Sequence, residues 1–263
     1  MLKKYLDGKV ALVTGSSSGI GFGIAESLAA EGATILLHGL EPQTKLEEIA
    51  QDLRHRFDIK VVAYSVNLAD RPAMDAFLTT LGELPRLDIL VNNAGLQFTA
   101  PVESFPKEKW DLLLQLHLTA PFELMQVALP KMREQGWGRV VQVASVHGLV
   151  GSKEKAAYVA AKHGIIGLTK VAALETAGTG VTINAVCPGW VKTPLVEAQI
   201  TARSAKEGVS IEKATEELLA EKQPSKKFTE TSDLGALVVF LCSAGANNLT
   251  GASLPVDGGW TAQ

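Results

Sequence analysis

A chain of 263 residues, 46% of them hydrophobic, carries enough apolar side chain to bury one large core. Its 25 basic and 28 acidic side chains leave a net charge of −3, which argues against a nucleic-acid partner, because phosphate backbones select a concentrated basic face. Cys187 and Cys242 lie far apart, outside any Cys-x-x-Cys spacing, and the five histidines show no metal-ligand spacing, so no metal is expected.

Residues 1–8 are too few and too polar for a signal peptide, and no apolar run reaches the roughly 18 residues of a membrane span. A cytoplasmic protein without a membrane partner is expected. Short β-rich runs then alternate with longer helical patterns. Strands are expected at 10–13, 34–38, 61–65, 89–91, 140–144, 181–186 and 253–256, and helices at 20–30, 45–56, 71–81, 107–134, 158–176 and 231–242. That alternation predicts one α/β domain over residues 1–263, a parallel sheet with helices on both faces. From about 191 to 229 the chain is instead charged and helical in pattern, including 211–221. A long insertion at a strand's carboxyl end often forms a lid over a site; the alternative is a solvated appendage.

The first strand runs into Thr14-Gly15-Ser16-Ser17-Ser18-Gly19-Ile20-Gly21 and then a helix. Glycines allow a tight turn and let backbone N–H groups approach a pyrophosphate, whose charge meets the helix N-terminus. No Gly-Lys-Ser/Thr closes the turn, so a dinucleotide is favoured over a nucleoside triphosphate. The second strand ends Leu37-His38-Gly39-Leu40-Glu41. The acidic residue that usually contacts ribose hydroxyls is not plainly placed, Glu41 being slightly late. Neither Arg nor Lys stands there or in the Ser16–Ser18 turn to hold a 2′-phosphate, so NAD is the expected cofactor.

Ligands of open α/β sheets bind beyond the carboxyl ends of the strands. Gly15 follows the first strand, Asn67-Leu68 the third, Asn92-Asn93-Ala94-Gly95 the fourth, Ser145 the fifth and Pro188-Gly189 the sixth, all at one rim. Tyr158 and Lys162 share one helical face four residues apart. Tyrosine titrates near ~10, and an ammonium about 4 Å away at an effective dielectric of ~20 is worth roughly 4 kcal/mol. That lowers the phenol by up to roughly three pKa units and makes it a proton acceptor near neutrality.

Thr14-Gly-x-x-x-Gly-x-Gly21, Asn92-Asn-Ala-Gly95, Ser145, Tyr158-x-x-x-Lys162 and Pro188-Gly189 together resemble the short-chain dehydrogenase/reductase family, in that family's order and over nearly the whole chain. The resemblance implies a doubly wound, Rossmann-like sheet of seven strands, hydride transfer with nicotinamide, and a homotetramer. It implies that Tyr158 is the general acid/base, that Ser145 bonds the reacting oxygen, and that Lys162 holds the nicotinamide ribose. The implied cofactor pocket takes Gly15, Ser17, Ser18, Gly19, Ile20, Gly21, Leu40, Asn67, Leu68, Asn93, Ala94, Gly95, Tyr158, Lys162, Pro188, Gly189, Val191 and Thr193.

A finer resemblance is to the branch of that family that interconverts (R)-3-hydroxybutyrate and acetoacetate. It is carried by Asn92–Thr99, by Ser145-Val-His147-Gly, by Lys155-Ala-Ala-Tyr158, by Cys187-Pro-Gly-Trp190 through Gln199, by Glu221-Lys-Gln-Pro-Ser225, and by Val256-Asp-Gly-Gly-Trp260. A small hydroxy acid or keto acid needs a cation and several donors around its carboxylate. Lys155, expected on Tyr158's helical face, supplies the charge; Gln97, His147 and Gln199 supply donors, with Ser145 and Tyr158 at the alcohol. Trp190 and Trp260 are expected as pocket walls. The rival readings are a reductase of carrier-protein-bound acyl chains, which predicts NADP(H) and a basic docking patch, and a non-catalytic dinucleotide sensor.

Two positions depart from the family. His117 stands where relatives place a catalytic Asn that anchors a water relay, and Pro121, four residues on, frees the His117 carbonyl to hold that water in compensation. Asn67 replaces the usual Asp against adenine; its amide can still accept and donate.

Overall fold

Alternation within the strands decides the architecture. On β1 (Val10–Val13), Ala11 and Val13 point into one buried layer and Leu12 into the other; β2 (Thr34–Gly39) repeats this with Ile35 and Leu37 against Leu36. A strand apolar on both faces needs cover on both. The computed structural model describes residues 4–262, leaving Met1–Lys3 of the polar leader and Gln263 outside the described residues. Its parallel sheet has seven strands in the order β3-β2-β1-β4-β5-β6-β7, with β3 Val61–Ser65, β4 Ile89–Asn92, β5 Gly138–Val143, β6 Val181–Pro188 and β7 Ser253–Val256. This is the single-domain, doubly wound Rossmann-like fold that the sequence implies.

Helices α1 (Gly19–Ala30), α2 (Gln43–Phe57) and α8 (Thr231–Cys242) cover one face, burying Leu28, Leu53 and Val238 against Val13, Leu37 and Val91. Helices α3 (Arg71–Glu83), α4 (Lys107–Glu134) and α5 (Ala156–Thr176) cover the other, where Phe77, Leu124 and Ala172 meet Leu12, Leu90 and Ile183. The chain crosses from one face to the other where β1 lies between β2 and β4, and Val13 is level with Leu37 and Val91. The loops after these three strands therefore open at one rim, at the point where strand order reverses.

By length and composition alone α4 is long and apolar enough to cross a membrane. Its apolar side is the inner layer of the fold: Leu113, Ala120, Leu124, Met125, Ala128 and Met132 are buried. The ladder of α4 widens to a π-turn over Gln115–Thr119, where the Ala120 N–H bonds back to the Gln115 carbonyl. Pro121 follows and has no N–H to resume the α pattern.

The segment after β6 forms two helices, α6 (Pro194–Glu207) and α7 (Ile211–Ala220), closed at their base by a bridge between Val191 and Thr229. Thr193 caps α6 through its hydroxyl, and Gly208 ends it in the left-handed conformation. Arg203 ties α6 to α7 with ion pairs to Glu217 at 3.7 Å and Glu221 at 2.7 Å. Val196, Ile200 and Ala214 form a small apolar cluster of their own there, with Trp190 and Phe228 packed against it.

Candidate active site

One cleft of about 440 Å³ runs along the carboxyl rim, within the size range of small-molecule and cofactor sites. Every residue assigned to the site from sequence lines it except Gly21. Gly21 lies in the first turn of α1, where an added Cβ would collide with the Gly15 carbonyl and the Asn93 amide. It lets the helix pack onto the turn instead of facing the cleft, which corrects its assignment as a cofactor contact.

At the turn, Gly15 has φ +61, a conformation that favours glycine. Asn93 Nδ2 donates to the Thr14 and Gly15 carbonyls at 2.9 and 3.0 Å, and Thr14 Oγ1 accepts from the Asn93 and Ala94 amides. The Asn-Asn-Ala-Gly loop is thereby bolted to the glycine turn. The amides of Gly19, Ile20 and Gly21, in the first turn of α1, have no partner one turn back.

Glu41 proves better placed than its position in the sequence suggests. The chain doubles back after β2, and Glu41 Oε1 accepts from Ser17 Oγ at 2.7 Å while its Oε2 is buried without a partner. Glu41 also lines the cleft, next to Leu40. Asn67 Oδ1 accepts from the Ala69 amide at 3.0 Å, which fixes its side chain at the end of β3.

Deeper in, Ser145 caps a short 3₁₀ turn, its Oγ accepting from the His147 amide at 3.1 Å. Burial raises the Tyr158 phenol above its ordinary value, and the neighbouring Ser145 hydroxyl pulls it down. Lys162 Nζ sits 5.5 Å from the Tyr158 ring centroid and donates to the Val143 carbonyl at 2.6 Å. Burial lowers the Lys162 pKa to about 8.

His117 lies in the π-turn with its ring edge-on to Tyr158, centroids 5.1 Å apart. Its Nε2 is 2.7 Å from the Leu96 carbonyl, so Nε2–H donates there and Nδ1 is left as a buried acceptor without a partner. Burial and the Lys162 charge hold its pKa at about 3, which keeps the ring neutral. No side chain fits at Gly95, because its Cβ would overlap the imidazole.

At the far end, Lys155 Nζ donates to His147 Nε2 at 3.2 Å. An ammonium has only donors, so His147 carries its proton on Nδ1, where it is buried and unpartnered. Burial followed by the Lys155 charge lowers the His147 pKa to about 4, and burial also lowers Lys155. Lys155 is not on the helical face expected: α5 begins at Ala156, and Lys155 is the residue before it, in a non-helical conformation (φ −117, ψ 36). It is set by the preceding Glu154 at φ 63 and by the Ala100 amide bonding the Glu154 carbonyl at 2.9 Å. That bond ties the Gln97 loop to the start of α5.

Trp260 packs against both His147 and Trp190, with centroids 5.5 and 6.0 Å apart, and the Trp190 indole N–H is buried without a partner. Gln223, which the sequence reading did not single out, holds this wall: its Oε1 accepts from the Trp190 amide at 2.9 Å and its Nε2 donates to the Lys227 carbonyl. The residue is fully enclosed. Gln199, Leu195 and Val196 reach the cleft from α6.

Comparison with known proteins agrees with this geometry. The family model for short chain dehydrogenase matches residues 9–204. The D-beta-hydroxybutyrate dehydrogenase of Cupriavidus necator is 50% identical over 260 residues, 98% of this chain and all of the relative. The protein of the same name from Rhizobium meliloti is 44% identical over 97% of this chain and 99% of its own. Among solved structures, L-sorbose reductase of Gluconobacter frateurii, complexed with NADPH and L-sorbose, superposes with a TM-score of 0.93 at 31% identity, covering 98% of both chains. With its glycine turn, its Asn-Asn-Ala-Gly loop and its Ser-Tyr-Lys set on one rim of a doubly wound sheet, this chain belongs to the short-chain dehydrogenase family and is an oxidoreductase.

Proposed function

We propose that this protein is an NAD-dependent dehydrogenase that interconverts (R)-3-hydroxybutyrate and acetoacetate. The observation that carries the substrate is the concentration of unanswered donors at one end of the cleft. His147 Nδ1–H and Trp190 Nε1–H are buried without acceptors, and the half-buried Lys155 ammonium has His147 Nε2 as its one acceptor for three donors. A buried donor without an acceptor costs free energy, and a carboxylate is the small group that satisfies a cation and several donors together. Gln97 and Gln199 add donors, and Trp190 and Trp260 leave room for a short carbon chain. The two relatives named for D-beta-hydroxybutyrate support the same substrate.

The residues present fit a dinucleotide. The free amides at the start of α1 suit a pyrophosphate, and the unpartnered Glu41 Oε2 suits the donors of a ribose diol. A 2′-phosphate beside that carboxylate would meet like charge, so NAD is preferred over NADP here, although the sorbose reductase holds NADPH. Leu40, Asn67, Leu68, Pro188, Gly189, Val191 and Thr193 complete the walls.

Bound at the glycine turn, NAD⁺ would supply the hydride acceptor for oxidation of the hydroxy acid at C3. The hydroxyl proton goes to the Tyr158 phenolate oxygen, Ser145 Oγ steadies the substrate oxygen, and Lys162 supplies the positive charge that offsets the phenolate. His117 Nδ1, with the carbonyls loosened at the π-turn, offers acceptors for a water that passes the proton on. Helices α6 and α7 act as a lid that excludes water from the reacting atoms. Exposed Val171 and Leu174 on α5, and Trp110 and Phe122 on α4, support assembly into a homotetramer.

The test follows absorbance at 340 nm with each enantiomer of 3-hydroxybutyrate and with NAD⁺ or NADP⁺. Turnover of the (R) enantiomer with NAD⁺ is expected. Activity confined to NADP⁺, or none with the (R) acid, overturns the reading.

A further inference from the structure

The first two amides of the glycine turn are already engaged by a single residue. The Gly15 N–H donates to His38 Nδ1 at 3.0 Å, and the Ser16 N–H donates to the His38 carbonyl at 2.7 Å. The His38 amide returns a bond to Ser16 Oγ at 3.0 Å. From the other side Asn93 Nδ2 holds the Gly15 carbonyl. A side chain from β2 and one from the end of β4 thus hold Gly15 at its N–H and its C=O.

Accepting from an amide requires a neutral imidazole with its proton on Nε2. The environment enforces that form: His38 is buried, and its ring packs on Phe77 with centroids 5.6 Å apart. Burial brings its pKa down to about 4, against small opposing effects from the Val66 and His38 backbone carbonyls and from Glu41.

We propose that His38 is a positioning residue for the dinucleotide's pyrophosphate, an inference that rests on the dinucleotide reading of the cleft. By taking up the amides of Gly15 and Ser16, it commits the turn to its left-handed start. It also leaves the unpartnered amides of Gly19 and Ile20, which line the cleft, as the phosphate-facing set. Without the imidazole acceptor the part-buried Gly15 N–H loses its one partner among the described residues, and the turn gains freedom to pivot. The consequence falls on the phosphates and spares the adenosine, which the Leu40, Val66 and Asn67 end of the cleft would hold.

Calorimetric binding of NAD⁺, ADP and adenosine to the full-length wild type and to His38→Leu, His38→Ser and His38→Asn separates these roles. Wild type that binds neither NAD⁺ nor ADP refutes the dinucleotide reading itself. Given wild-type binding, His38→Leu should weaken ADP and NAD⁺ by about tenfold or more, the scale of one lost buried hydrogen bond. Adenosine should stay within about twofold, and Asn, whose Oδ1 can accept from Gly15, should restore most of the ADP affinity. Should His38→Leu not fold, His38→Ser, too short to reach Gly15, carries the same expectation. Unchanged ADP affinity in a folded Leu or Ser variant, or equal losses of ADP and adenosine, overturns the assignment.

Discussion

Lys162 lies in the cleft wall with 5% of its surface exposed, and the bond from its ammonium to the Val143 carbonyl is its one hydrogen bond within the described residues. Among the described residues no carboxylate pairs with it. Burial brings its pKa from 10.5 to about 8, and at about 1.36 kcal/mol per pKa unit that gap is a cost to the fold of about 3 kcal/mol. Because the folded value lies below the unfolded one, the unfolded chain binds more protons between them. The cost is therefore full below pH 8 and disappears as the pH rises to 10.5. Lys162→Met keeps the length and removes the charge, while losing the bond to Val143, worth about 1 kcal/mol. The variant should be more stable than the parent by about 2 kcal/mol at pH 7, and about 1 kcal/mol less stable at pH 10.5. Urea unfolding at a fixed protein concentration, which matters for an oligomer, measures both. A variant less stable than the parent at pH 7 would refute the view that this lysine is held at the fold's expense.

Tyr158→Phe should abolish turnover while NAD⁺ still quenches intrinsic fluorescence; activity near the parent's would remove the phenol from the chemistry. Lys155→Ala should raise KM for 3-hydroxybutyrate and lower kcat/KM by the equivalent of about 2–5 kcal/mol, the cost of unpairing a buried charge, and an unchanged KM would contradict it. Glu41→Ala should raise kcat/KM with NADP⁺ by about tenfold, since it removes a like charge beside the 2′-position; no gain would show that discrimination lies elsewhere. Pro121→Ala, which returns an N–H to the ladder after the π-turn, should slow turnover wherever proton transfer limits it, and parent-like rates across the pH profile would remove that role.

The strands were legible because a two-faced parallel sheet writes near-continuous Val, Ile and Leu runs, and the rim residues because each follows such a run directly. Local departures from regular geometry were not. The π-turn over Gln115–Thr119 was hard to read, since one widened turn shifts the apolar phase by a single residue, although Pro121 just beyond it is a hint. Lys155 matched a helical spacing, yet it stands outside the helix because Glu154 takes a positive φ there. Gly21 fitted a phosphate motif but serves the packing of α1. Glu41 looked late by counting along a strand, a measure that fails once the chain turns back toward Ser17. Gln223 was hidden by distance in sequence: 33 residues separate it from the Trp190 amide it holds.

The placement of charge along the cleft joins these particulars into one electrostatic design. Lys155 and Lys162 stand at the inner end, where the described lining residues include no carboxylate, and Glu41 is the acidic lining residue, at the adenosine end. Histidines are the natural residues to place beside buried lysines if further positive charge must be avoided. His117 and His147 are each held neutral by burial and by the neighbouring ammonium. Each therefore presents hydrogen-bonding atoms without adding to the field. The inner end thus carries two fixed positive charges and two neutral, oriented rings, and it balances when one carboxylate and one phenolate are present together. A hydroxy acid meeting an ionised Tyr158 brings that pair of charges, whereas a neutral alcohol leaves Lys155 uncompensated. On this arithmetic the proposed preference for an acid would rest on the charge of the cleft as much as on its shape.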